Sequence, residues 1–145
     1  MPVIDEVEYQ RMNQEDIEAI REQMRKQNLE YIEEFEEDLR AIGRKQSTLN
    51  THRKNLLIFL NQYLVRKNPR TIEEGAYDLM SFFYYYYIPE FMSANTLTVR
   101  GMAASIKQFY RSMAARGHVS QEACDTAVSD IKENVDDWKE STHRF

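Results

Sequence analysis

The side chains in this sequence best suited to chemistry are cations, not nucleophiles or metal ligands. Arg100, Lys107 and Arg111 recur so that, at about 100° per residue, they fall within roughly 40° of one another on a single helix. A line of positive charge of this kind is what a helix needs to lie against the phosphates of a nucleic acid. Ala104 shares the face, and a small residue between long cations lets the backbone approach a groove closely. The same charges would serve equally well as a solvated polar face. A second group, Arg44, Lys45, Arg53 and Lys54, gathers around a helix start, where the positive end of the helix dipole also favours phosphate. For Arg53 the competing expectation is an ion pair with the acidic run Glu33 to Asp38, EEFEED.

Other chemistry has little to work with. His52, His118 and His143 lie far apart in sequence, and none stands at metal-ligand spacing with Cys124 or a carboxylate on one helix face. No glycine-rich phosphate loop occurs, and the carboxylates fall in exposed runs, not singly in apolar surroundings where a catalytic pKa would be tuned. The sequence therefore predicts no catalytic constellation, no cofactor or metal and no small-molecule substrate. Cys124, the one cysteine, excludes an internal disulfide and reads as a small buried apolar residue.

The elements that must hold these cations are helical. Four glycines and three prolines in 145 residues, short β-branched runs and abundant Glu, Gln, Met, Leu, Lys and Arg predict an all-α chain with one hydrophobic core. Its net charge of −5 disfavours a polyanion, but the average conceals a pattern. Residues 1–40 sum to −8, residues 41–119 to +7 and residues 120–145 to −4. Because exposed charges are screened beyond roughly 8–10 Å, a docking polyanion would feel the basic middle. The acidic N-terminus does not read as a secretory signal, and no run reaches the ~20 apolar residues of a membrane span, so a cytoplasmic protein with no membrane partner is expected.

Residues 1–13 read as a loose lead-in. Ile17, Ile20 and Met24 make a thin stripe on a helix from Gln14 to Asn28, expected to be solvated. Tyr31, Ile32, Phe35, Leu39 and Ile42 make a thicker stripe that ends at Gly43. Whether these are two helices or one long bent helix stays open. Ser47 is the expected N-cap of a second core helix bearing Leu49, Leu56, Leu57, Phe59, Leu60, Tyr63 and Leu64. Thr71 and Glu74 form a capping box for a third, with Ala76, Leu79, Met80, Phe83 and Tyr87 on one face and Pro89 at its end. The run Phe82 to Tyr87 is aromatic on every side; with no cations interleaved, it is expected in the core and not stacked on bases. Ser93 or Asn95 would cap the next helix, whose buried stripe is Val99, Met102, Ala103, Ile106, Phe109, Tyr110 and Met113 and whose stop is Gly117. Ser120 opens a last, acidic amphipathic helix with Ala123, Ala127, Val128, Ile131, Val135 and Trp138 inward, and the final residues from Ser141 should fray.

The ordered pattern Phe35, Leu39, Ser47, Thr48, Leu49, His52, Asn55, Leu56, Phe59, Leu60 resembles the first half of the SAM-like core-binding domain of tyrosine recombinases and phage integrases. Ser93, Thr96, Ile106, Lys107, Phe109, Tyr110, Gly117 and Val119 stand where that domain's second half has its own signature. The resemblance covers about residues 29–119. It is nearest to stand-alone bacterial recombinase-like proteins sharing Ile72 to Gly75, Ser105 to Tyr110, and Ile131 to Glu133 with Trp138. It implies a SAM-like four-helix bundle of two helical hairpins (29–119), preceded by an acidic, partly helical extension (1–28) and followed by a C-terminal helix (120–145). It also implies duplex DNA as the partner, met by the second and fourth helices, here through Arg44, Lys45, Thr48, Arg53, Lys54, Arg100, Lys107 and Arg111. The recombinase catalytic domain, with its Arg, H-x-x-R box and nucleophilic Tyr, has no counterpart in the sequence. The expected function is thus non-catalytic DNA binding in a recombination or integration setting, with a recombinase or a second copy as further candidate partners. The alternative is a helical protein-protein interaction or self-association module whose acidic flanks are the working surface.

Overall fold

The structure, a computed structural model, describes residues 13–91 and 96–142, with the backbone alone at 96 and 97. Ser93 and Asn95 as caps, the lead-in 1–12, His143 and the last residues lie outside the described residues. All the described elements are helical. Helix α1 (Gln14–Ala41) runs unbroken across residue 28. Its first turn is closed by Asn13, whose side chain accepts from the Asp16 amide at 2.9 Å. At its end Gly43 takes φ +82, and the amides of Gly43 and Arg44 return to the carbonyls of Arg40 and Leu39. This glycine-dependent stop is the one expected from sequence.

The first half of α1 departs from expectation. Ile17 and Met24 are buried, and Arg21 donates to the carbonyls of Val65 at 2.8 Å and Lys67 at 2.9 Å. Asn28, also buried, donates to Asn61 Oδ1 at 2.9 Å. This half is therefore docked on the chain that follows α2 and is not a solvated arm. Its anchors are polar groups meeting backbone carbonyls, which a search for apolar stripes overlooks.

Helix α2 (Gln46–Leu56) passes directly into a π-helical stretch (Leu57–Tyr63). Lys45 is its N-cap, with no side-chain cap bond, and Ser47 lies inside the first turn. The turn at Gly43 leaves only Arg44 and Lys45 as connector, so the helix starts before the serine can cap it. The third helix is not one element. Thr71 and Glu74 do form the capping box of α3 (Ile72–Gly75), but a turn intervenes before α4 (Leu79–Ser81), a π-helical stretch (Phe82–Tyr87) and α5 (Ile88–Glu90). The break and the wider π-type turn shift the faces. Met80, expected inward, is exposed, while Phe82 is fully buried.

Helices α6 (Thr96–Ala115) and α7 (Gln121–Ser141) form a hairpin. Gly117 at φ +80 and Ser120, which accepts from the Ala123 amide, stop the one and start the other, as expected. The whole inward stripe of α6 is buried and joins Phe35, Leu56, Phe59, Leu60 and Phe83 in one core. Trp138 of α7 completes it, stacked on Phe83 with ring centroids 4.1 Å apart. The Tyr110 hydroxyl donates to the Ile72 carbonyl at 2.8 Å. A side chain on Gly75 would put its Cβ 2.6 Å from Leu64 Cδ1 and 3.0 Å from that hydroxyl, so any larger residue at 75 would displace the Leu64 side chain. Truncation of Phe109 to Ala should cost about 3–5 kcal/mol; an unchanged thermal midpoint would refute the assigned register of α6.

Candidate nucleic-acid interface

The basic residues of the middle region divide by whether an acid holds them. Glu36, buried on α1, accepts from Arg53 Nη2 at 2.6 Å and Nε at 3.1 Å. That hydrogen-bonded pair raises the arginine pKa further. A buried carboxylate needs such a partner, and Arg53 supplies it from α2. Arg116 is held in the same way by Asp38 at 2.8 Å, Glu37 at 3.4 Å and Glu34 at 3.7 Å, and its hydrogen bonds hold the Asp38 carboxyl below its usual range. His118 reaches Glu34 at 2.6 Å. The acidic run of α1 thus finds its cations inside the molecule.

Arg44, Lys45, Lys54, Arg100 and Arg111 are exposed and Lys107 is half-buried. Among the described residues none of these six pairs with a carboxylate. Thr48 is half-buried in the first turn of α2. Helices α2 and α6 meet along a polar seam. Asn55 donates to Ser105 Oγ at 3.0 Å, and that hydroxyl lies 2.7 Å from His52 Nδ1. Gly101 lies beneath Asn55, whose Nδ2 is 4.0 Å from where a Cβ would stand.

Ser105 and Gly101 sit on average roughly 120° around α6 from Arg100, Lys107 and Arg111. The stripe therefore points away from the α2 seam and toward α7. Arg111 lines a groove with Cys124, Asp125 and Glu133. Asp136 has its pKa lowered first by its hydrogen bond with Lys139 and further by the charge of Arg100. The two basic groups thus belong to neighbouring helices but flank the seam, and one of them is bordered by the acidic last helix.

A third basic group escaped the sequence. Arg66 lies over the rings of Tyr86 and Tyr63, 4.4 and 5.0 Å from their centroids, and Arg70 lies 4.7 Å from that of Tyr63. One ring of the aromatic run, Tyr86, thus meets a cation in space. Arg66 and Tyr86 are twenty residues apart, beyond any local pattern.

Among the described residues no helix is long and apolar enough to cross a membrane, and no group of three or more His, Cys, Asp or Glu is placed to hold a metal ion. Comparison of the chain with protein-family models, with curated proteins and with solved structures finds no match.

The seam makes stability sensitive to pH. Burial, with a contribution from Arg44, holds the His52 pKa below its usual 6.5. Above that value both folded and unfolded chains carry a neutral ring; below it the unfolded chain takes the proton first, so stability falls with pH until the folded-state pKa is passed. The thermal midpoint should therefore drop between about pH 7 and 5.5, and drop less in His52→Gln. Equal pH slopes in the two proteins would contradict this role.

Proposed function

We propose that the chain is a non-catalytic DNA-binding module that clasps duplex DNA mainly through phosphates, built like the SAM-like core-binding domain of tyrosine recombinases. The observation that carries this reading is the set of six cations unpaired among the described residues, Arg44, Lys45, Lys54, Arg100, Lys107 and Arg111, in a chain where 24 acids face 19 bases. Enough carboxylates exist to neutralise them, and α1 does neutralise Arg53 and Arg116. Cations left exposed under an excess of acid are available to a polyanion. The resemblance adds support: His52 and Asn55 from its first half touch Ser105, the first residue of the motif shared with the stand-alone recombinase-like proteins. The acidic border supplied by α7 favours a second reading, in which that helix docks a basic protein.

In the DNA reading α7 moderates affinity, because tethered anions beside the stripe compete with phosphate. Its Ala127, Ile131 and Trp138 belong to the core, so charge neutralisation tests this where truncation would not. Asp125→Asn, Glu133→Gln and Asp136→Asn together should raise duplex affinity roughly 2- to 10-fold at low salt and less at high salt. Unchanged or weakened binding would remove the moderating role.

The reading as a whole is tested by changing Arg100, Lys107 and Arg111 together to Ala. None belongs to the core, so the thermal midpoint should hold. Affinity for duplex should fall, and the slope of log affinity against log salt should flatten by roughly 0.9 for each phosphate that is no longer neutralised. No duplex binding by the parent at low salt, or parental binding by the triple variant, would transfer the proposal to the protein-docking reading.

A further inference from the structure

The connection from α2 to α3 and the start of the aromatic run form a cleft lined by Tyr63, Arg66, Lys67, Arg70, Asp78 and Tyr85. Its charges are arranged for different tasks. Arg70 pairs with Asp78 and donates to the Tyr63 carbonyl at 3.3 Å, while Asp78 also accepts from the Tyr63 hydroxyl at 2.6 Å. That group is structural. Arg66 is exposed, packed beside the adjoining rings of Tyr63 and Tyr86, and has no carboxylate partner among the described residues. A guanidinium resting against aromatic rings leaves N–H groups for other partners, and a phosphate can take two of them.

The backbone here is pinned in an uncommon shape. Lys67 holds φ +54, a left-handed conformation that a residue with a Cβ adopts at a cost. Arg21 of α1 clamps it from behind through the carbonyls of Val65 and Lys67. Asn68, next in the chain and also lining the cleft, has a buried Oδ1 with no donor among the described residues. At the rim Tyr85 is 80% exposed, the most exposed large hydrophobic side chain among the described residues.

We propose that this cleft binds an unpaired nucleotide of a nucleic-acid strand, its phosphate on Arg66 and its base on the ring of Tyr85. Stacking on a single ring needs a base free of its duplex neighbours, and cations beside such a ring are what a single strand requires. The cleft lies beyond the π-helical stretch that continues α2, about 25 Å from Lys45 at roughly 1.5 Å per residue up to Tyr63. It therefore stands or falls independently of the duplex reading.

The test uses the full chain with three labelled probes: a short oligothymidylate, an abasic oligomer of equal length, and a duplex. Oligothymidylate should bind more tightly than the abasic oligomer, and Tyr85→Ala should weaken it roughly 5- to 100-fold. The same change should leave duplex binding and the thermal midpoint unaltered, since the ring is exposed. Arg66→Gln should weaken both single strands. Equal binding of the thymidylate and abasic oligomers, parental binding by Tyr85→Ala, or displacement of oligothymidylate by polyglutamate at equal charge would each overturn the proposal. Binding of oligothymidylate without any binding of duplex would uphold it while removing the duplex reading.

Discussion

The arrangement depends on the burial of one stripe of α6. Val99, Met102, Ala103, Ile106, Phe109, Tyr110 and Met113 are all within 2% of complete burial, and α6 packs against α1, α2 and α7. Each large apolar side chain contributes roughly 1.5–3 kcal/mol when fully buried, so a rotation of α6 by one residue, about 100°, would forfeit much of the core. The hydrophobic constraint therefore decides where the cations go. Arg100 and Arg111 are exposed because the opposite face cannot be.

Charge then sorts itself around that framework. Four acids of α1, Glu34, Glu36, Glu37 and Asp38, are engaged by Arg53, Arg116 and the His118 ring, which tie α1 to α2 and to the end of α6. The acids of α7 border the stripe without pairing to it. A net charge of −5 is thus a poor guide to what a partner meets, because part of the compensation is internal and the rest is local. The seam of His52, Asn55 and Ser105 adds a polar lock whose satisfied hydrogen bonds hold α2 and α6 in one relative position.

What could be read from sequence was what is decided locally. The stops at Gly43 and Gly117, the capping box at Thr71 and the start at Ser120 depend on residues within a turn of one another, and each stands where expected. The buried stripe of α6 was equally legible, since one long helix repeats its signal several times. Tertiary structure overrode the rest. Ser47 yielded its capping role to the geometry of the preceding turn, and the third helix broke where the aromatic run adopted a wider turn. The first half of α1 is anchored by Arg21 and Asn28, polar residues that carry no periodic signal. Of the cations singled out for a site, Arg53 was diverted by a buried Glu36 on another helix. The stack of Arg66 on Tyr86 could not be seen because its partners are distant in the chain.

The central claim is that a polyanion meets the unpaired cations of α2 and α6. Its most direct test is a titration of isotopically labelled protein with duplex DNA at low salt, following the amide resonances. The account predicts shifts concentrated at residues 44–54 and 100–111, with residues 15–30 of α1 unmoved. Shifts that map to α1, or that are absent from α6, would contradict it.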